Sequence, residues 1–169
     1  MGCGTGEFTK KLSEPFKNVT GYDISKNCIL TAMKRYKNIK FWVKDIENTK
    51  IKNGSVDVLF YCGVLHHFTN IERVVKEAKR ILKRYGKVFI FEPNAFNPVL
   101  WLFRNKKSPF KSNKLKTLNE EFLTKEQIRG AFEKEGFKSI KISCISGIGY
   151  TKDLDCTPKY AQIDNEYKQ

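Results

Sequence analysis

The sequence lacks long hydrophobic runs, paired-cysteine motifs and enough acidic residues to balance its basic ones. Its uninterrupted apolar runs are short, as from Val99 to Phe103, so no segment is predicted to span a bilayer as a helix. The first residues do not show the basic-then-apolar layout of a secretory signal. The five cysteines are scattered and form no C-x-x-C pair, which favours reduced thiols in a cytoplasm over disulfides or a metal site.

Basic residues are in clear excess, with 32 Lys and Arg against 18 Asp and Glu, for a net charge of +14. Residues 104–119 hold six basic residues and no acidic one. Such a cluster can bind phosphates, anionic lipid or an acidic partner. It can equally be a solvated face, because most charge runs are. Nucleic acid is therefore kept as an alternative partner that is not favoured.

Strand-like and helix-like segments alternate along a chain whose 169 residues, 40% of them apolar, suit one globular domain. Such alternation predicts an α/β fold with a mostly parallel sheet and helices on both faces. The predicted strands are residues 18–24, 39–44, 56–62, 87–91 and 137–145. The predicted helices are 7–16, 25–36, 69–85 and 124–135.

Capping signals mark where several predicted helices begin. Ser25 can cap the second helix, and capping boxes at Thr69-x-x-Glu72 and Thr124-x-x-Gln127 open the last two. The helix from Thr69 is expected to continue through Tyr85 until Gly86. Residues 95–122 interrupt the alternation and are predicted to be an insert, and residues 150–169 are predicted to be a tail.

The first residues form a G-x-G-x-G loop, with Gly2, Gly4 and Gly6 followed by helix-compatible residues from Glu7 onward. Glycine lets the backbone approach a ligand closely, and the N-terminus of the next helix offers N–H groups to an anion. A dinucleotide-binding G-x-G-x-x-G loop needs a glycine where Glu7 stands. The loop therefore argues against NAD and FAD.

Two acidic residues end the next two predicted strands. Asp23 lies nineteen residues after Gly4, where a carboxylate can accept hydrogen bonds from both hydroxyls of a ribose. Asp45 ends the following strand, where it can accept from an exocyclic amine such as that of adenine. Either residue can instead be a capping or turn carboxylate.

Taken in order, five blocks resemble the class I S-adenosylmethionine-dependent methyltransferases, closest to the small-molecule group that includes ubiquinone- and menaquinone-type enzymes. The blocks are GCGTGEFT, GYDIS, KDIEN, VDVLFYCGVLHHF and GKVFIFEPN. The resemblance runs from Met1 to about residue 148 and is weakest in the insert. It implies a Rossmann-like sheet, S-adenosyl-L-methionine as cofactor, and a methyltransferase domain over residues 1–149 in which the insert caps the acceptor pocket.

The resemblance also implies which residues contact the cofactor. Those expected to cradle its methionine part are Gly2, Cys3, Gly4 and Gly6. Those expected at its adenosine part are Asp23 for the ribose, Ile24 against the adenine, Asp45 for the amine, and Ile46 through its backbone N–H. Those expected to form the floor beneath the sulfonium are Cys62 and Gly63.

A sulfonium is already an activated leaving group, so in-line displacement chiefly needs an aligned acceptor. His67 is the candidate for facing that acceptor, with packing on the cofactor loop as the alternative. Glu92 either faces the cleft or is structural before Pro93. No catalytic base and no metal site is identified.

The expected acceptor is a small molecule. The apolar and basic residues of 96–116 are compatible with a hydrophobic acceptor or with weak contact to a membrane surface. An RNA-directed methyltransferase and a non-catalytic remnant of the fold are the alternatives.

The glycine loop begins one residue after the start of this sequence. Relatives carry an apolar strand immediately before that loop, in the middle of the sheet, so we expect the first central strand to be absent. Residues 18–24 and 56–62 would then pair directly or leave a gap, and cofactor affinity would be poor.

Overall fold

The computed structural model describes residues 1–93, 109, 123–143 and 161–164, and its helices and strands alternate from Glu7 to Phe91 except that two strands follow one another between Lys40 and Cys62. The helices are α1 (Glu7–Leu12), α2 (Lys26–Arg35), α3 (Glu72–Ile81) and α4 (Lys125–Lys134), with a 3₁₀ turn at Leu65–His67. The strands are β1 (Thr20–Asp23), β2 (Lys40–Val43), β3 (Val56–Cys62), β4 (Leu82–Phe91), β5 (Lys138–Lys141) and β6 (Ala161–Asp164).

These strands form two sheets. β1 and β2 pair in parallel, and the second sheet has the order β3-β4-β6-β5. β3 and β4 are parallel, whereas β6 is antiparallel to both β4 and β5. The predicted α/β fold with parallel strands is confirmed. Part of the segment predicted to be a tail, Ala161–Asp164, instead joins the sheet as β6.

The alternation of side chains along β3 places helices on both faces of the sheet. Leu59 and Tyr61 are buried in a core with residues of α3 and α4. Phe60 points to the opposite face, where its ring lies 6.3 Å from that of Phe8 in α1 and 5.9 Å from that of Phe16. The predicted two-sided covering of this strand is therefore borne out at its C-terminal half.

A gap separates β1 from β3, and the two strands do not pair among the residues that the structure describes. Residues before α1 bridge one end of it, where Met1 N donates to Phe60 O at 2.7 Å and Cys3 N donates to Tyr22 O at 3.0 Å. The rest is a cavity of about 520 Å³ lined by both strands and by aromatic residues of the α1 region. Direct pairing of β1 with β3, one of the two expected arrangements, does not occur within the described residues.

Helix α3 differs from its prediction at both ends. The prediction of a capping box at Thr69 is wrong. The helix begins after Ile71 without a side-chain cap, and Glu72 N donates to Asn70 Oδ1 at 2.7 Å. It ends at Ile81 instead of Tyr85 because Leu82 pairs with Val56 of β3 and starts β4. Pairing with a distant strand thus overrides the helical periodicity.

The other capping predictions are confirmed. Ser25 Oγ accepts from Cys28 N at 3.3 Å at the start of α2. Thr124 and Gln127 form the predicted capping box of α4, each side chain bonded to the backbone of the other. Within α2, Ile29 and Ala32 are buried, whereas Met33 is 49% exposed.

Candidate functional site

Asp23 joins the glycine loop to the end of β1. Its Oδ2 accepts from Gly4 N at 2.8 Å, and its Oδ1 accepts from Ser25 N at 2.9 Å. The carboxylate therefore fills the turn role that the sequence left open. Because each carboxylate oxygen carries a second lone pair, both can accept a further hydrogen bond from a ligand.

Asp45 lies at the same edge of the sheet as Asp23. The two strands are parallel, Asp23 is in register with Val43, and Lys44 N donates to Asp23 O at 2.9 Å. Asp45 is exposed, and its Oδ1 accepts from Glu47 N at 2.9 Å. The two predicted acids thus follow neighbouring strand ends, and each also holds a turn.

The two predicted apolar neighbours of these acids have different surroundings. Ile24 is 71% exposed immediately after Asp23, so its side chain is available to a ligand. Ile46 is buried in the same core as Leu59, which leaves only its backbone for the predicted contact.

The glycines of the site divide into two kinds. A Cβ on Gly2 would lie 2.5 Å from Val64 Cβ, and one on Gly6 would lie 3.0 Å from atoms of Phe41 and Tyr36, so protein already fills both places. A Cβ on Gly4 would meet no atom within 4 Å, and one on Gly63 only His66 Cε1 at 4.0 Å.

Gly4 and Gly63 also have positive φ values, of 51° and 58°. Here the backbone conformation needs glycine, and the missing side chains leave open space beside the chain. The residues present therefore fit a ligand that approaches the backbone closely at these two positions.

Two half-buried thiols stand near the start of the glycine loop and at the end of β3. Burial raises the pKa of Cys3 to about 11, and burial followed by the charge of Glu92 raises the pKa of Cys62. Both thiols stay protonated at neutral pH, so neither supplies a nucleophilic thiolate there. Cys62 precedes Gly63, whose N–H donates to Phe91 O at 2.7 Å.

A buried pair close to Gly63, formed by Glu92 and His66, was not identified from the sequence. Glu92 Oε1 accepts from Val64 N and Leu65 N, both at 2.8 Å, and His66 Nδ1 lies 2.6 Å from Oε2. The side chains of Glu92 and His66 are 5% and 8% exposed. His67, the predicted acceptor-facing residue, is exposed, and its ring centroid lies 4.2 Å from that of His66.

The only feature of the sequence that pointed to this pair is a glutamate at the end of a buried strand, beside a loop that follows a neighbouring strand. It fixed neither the orientation nor the partner of Glu92.

Several predicted features fall elsewhere. The acceptor-cap insert 95–122, the membrane-contact segment 96–116 and the basic cluster 104–119 lie outside the described residues, apart from Pro109. Within the described ranges, no three His, Cys, Asp or Glu residues could together hold a metal ion. None of the helices described is long and apolar enough to cross a membrane.

Comparison with known proteins agrees with this geometry. The family model described as a methyltransferase domain matches residues 1–90. The chain is 33% identical over 143 residues to an uncharacterized protein of Methanocaldococcus jannaschii, a match covering 83% of this chain and 64% of that protein. It is 29% identical over 158 residues to a demethylmenaquinone methyltransferase of Thermotoga maritima, covering 82% of this chain and 68% of that one. The chain thus spans about two thirds of the length of these curated relatives.

The fold has solved counterparts. A structure of a SAM-dependent methyltransferase from Methanosarcina mazei superposes with a TM-score of 0.74 at 18% identity, covering 99% of this chain and 91% of that one. The matched residues include the glycine loop, Asp23, Asp45, Cys62 and Gly63. S-adenosyl-L-methionine is the cofactor that this family implies. From the sequence match, the shared fold and the geometry of the loop, the chain belongs to the S-adenosylmethionine-dependent methyltransferases.

Proposed function

We propose that this chain transfers a methyl group from S-adenosylmethionine to a small-molecule acceptor by in-line displacement. The observation that carries the proposal is the hydrogen bond from Gly4 N to Asp23 Oδ2 at 2.8 Å, together with the open space beside Gly4 and Gly63. The demethylmenaquinone methyltransferases among the relatives favour a small, hydrophobic acceptor.

The proposed roles of the residues are those that the family resemblance implies, and the geometry of the site is compatible with them. Asp23 accepts hydrogen bonds from the ribose hydroxyls with its second lone pairs, and Asp45 accepts from the adenine amine. Ile24 packs on the adenine ring, and Ile46 donates its backbone N–H to that ring. The residues proposed to hold the methionine part are Gly2, Cys3, Gly4 and Gly6, with Cys62 and Gly63 beneath it.

When bound, the cofactor supplies a methyl group on a positively charged sulfur, which is already activated for displacement. The protein's own contribution is to orient the acceptor and to exclude water. His67 is the proposed residue for contact with the acceptor, and residues 95–122 of the proposed 1–149 domain are its proposed cap. Neither raised-pKa thiol takes part as a nucleophile.

Calorimetric titration with S-adenosylmethionine tests the binding half of this proposal. Asp23→Asn removes one carboxylate oxygen, so we expect cofactor affinity to fall about 10- to 100-fold, the usual effect of losing hydrogen bonds to a charged group. Glu133→Gln, which changes an exposed carboxylate on α4, should bind as the parent chain does. Absence of heat at millimolar cofactor would leave a non-catalytic remnant of the fold as the better description.

The alternative of an RNA-directed enzyme is favoured only by the net charge of +14. It predicts RNA binding that weakens steeply as salt rises, because each neutralised phosphate releases counterions. If the chain binds no RNA, or binds RNA with little dependence on salt, the small-molecule acceptor is favoured.

We further propose that the gap between β1 and β3 is the place of an additional central strand. β1 and β3 do not pair with each other among the described residues, and the cavity between them is lined by Phe8, Phe16 and Phe60. Fusing about six Val- and Ile-rich residues before Met1 should then raise the midpoint of urea denaturation. The same segment carrying two prolines, which cannot donate to a ladder, is the matched control. Equal midpoints for the two fusions would contradict this placement.

A further inference from the structure

We propose that Glu92 is a positioning residue, which fixes the loop Gly63–His67 against the glycine loop and so sets the place of the cofactor's methionine part. This inference rests on the proposed function, because it concerns the same site. Glu92 itself contacts no reacting atom in it.

The carboxylate of Glu92 satisfies the start of the 3₁₀ turn. The first N–H groups of a helical turn have no partner within the turn. Glu92 Oε1 accepts two of them, from Val64 and Leu65, and His66 N lies 3.4 Å from Oε2. Since a carboxylate only accepts, His66 Nδ1 donates to it as well, at 2.6 Å.

Burial makes these bonds strong constraints on the loop. Both side chains are more than nine-tenths buried, and hydrogen bonds to an ionised group strengthen where water is excluded. Gly63 N donates to Phe91 O, so three consecutive N–H groups, of residues 63 to 65, are held by the last two residues of this strand region, Phe91 and Glu92. The end of β4 therefore dictates the path of the loop.

The loop in turn bears on the glycine loop. Val64 occupies the place where a side chain on Gly2 would stand, with Cβ atoms only 2.5 Å apart in that case. A shift of Val64 is thus transmitted directly to Gly2, and Gly2 leads into Gly4 and Asp23. Displacement of Glu92 is expected to disturb the methionine part of the site while Asp23 and Asp45 keep their own contacts.

Glu92→Gln is the direct test, because it preserves shape and replaces one acceptor oxygen with a donor that faces N–H groups. We expect affinity for S-adenosylmethionine and S-adenosylhomocysteine to fall about tenfold, while affinity for adenosine, which lacks the methionine part, stays within twofold. A general loss of structure would weaken all three ligands alike. Glu133→Gln is the matched exposed control.

A second variant separates the pair from a folding defect. His66→Asn keeps a side-chain N–H donor and should retain more cofactor affinity than His66→Ala. Amide hydrogen exchange in the unaltered chain adds an independent readout. The N–H groups of Val64 and Leu65 should exchange more slowly than that of Glu47, which is bonded to an exposed carboxylate.

Each outcome has a distinct meaning. If the unaltered chain binds no S-adenosylmethionine, the proposed function fails first. If it binds, and Glu92→Gln binds equally well or weakens adenosine in proportion, the positioning role is overturned. Exchange at Val64 and Leu65 as fast as at Glu47 would overturn it too.

Discussion

Acid should weaken the contact between α3 and the segment that follows Asp45, because this contact depends on one buried carboxylate, that of Glu77. Glu77 Oε1 accepts from Thr49 N at 2.8 Å and from Thr49 Oγ1 at 2.5 Å, and both carboxylate oxygens bond Arg80 at 2.7 Å. Thr49 is fully buried and Glu77 nearly so. The Arg80 guanidinium first, and then the Thr49 donors, lower the pKa of Glu77 from 4.5 to about 2.

The magnitude follows from that pKa. A pKa of Glu77 that falls from 4.5 to about 2 on folding corresponds to about 3 kcal/mol of stability, because one pKa unit is worth about 1.4 kcal/mol. Because the pKa is lowered on folding, this stability is present above pH 4.5 and is lost as pH falls toward 2. Glu77→Gln, which cannot titrate, should therefore be less stable than the parent chain at pH 7, and the difference should shrink in acid.

Urea denaturation of both proteins at pH 7, 4 and 3 measures the difference directly. Glu133→Gln, an exposed carboxylate on α4, is the control and should follow the parent chain at every pH. A destabilisation by Glu77→Gln that is the same at pH 3 as at pH 7 would show that the lost contribution is not ionic. No destabilisation at pH 7 would refute the reasoning altogether.

Three further predictions concern the glycine loop. Gly2→Ala should destabilise the chain by about 2–4 kcal/mol in urea denaturation, because the new methyl group clashes with Val64 and the backbone has a positive φ. Gly54→Ala, also at positive φ but in open space, should cost only about 1–2 kcal/mol. Equal costs for the two variants would contradict the packing of Gly2 against Val64. Gly4→Ala should match Gly54→Ala in stability yet weaken S-adenosylmethionine in calorimetry, because its methyl group enters the open space; unchanged affinity would contradict that. Cys3 should react with iodoacetamide at pH 7 more slowly than free cysteine and faster as pH rises toward 11, followed by peptide mass spectrometry; fast labelling at pH 7 would contradict its burial.

Local signals in the sequence were sufficient for much of this fold. β3 is a short apolar run and was predicted with its observed bounds, and the capping box at Thr124 marks the start of α4. The glycine loop and Asp23 were predicted to share a site, and they contact each other directly. These features depend on a few neighbouring residues or on parallel strand ends that must meet at one edge.

Contacts between distant segments decided the rest. The helical stripe through Tyr85 was interrupted because Leu82 pairs with β3, and Ala161–Asp164 became a strand only by inserting between β4 and β5. Neither pairing is encoded in the local period of the residues concerned. A strand register depends on partners that the sequence places far away.

The sequence by itself indicated the family and its cofactor through the resemblance of five ordered blocks, and it set the order of the glycine loop and the two acids along the chain. Only the tertiary structure distinguished Gly2 from Gly4, one packed under Val64 and one beside open space, and turned Glu92 onto the loop that holds His66. The physical reason is that packing and buried hydrogen bonds depend on which surfaces meet, and residues 26 positions apart in sequence meet only in the folded chain.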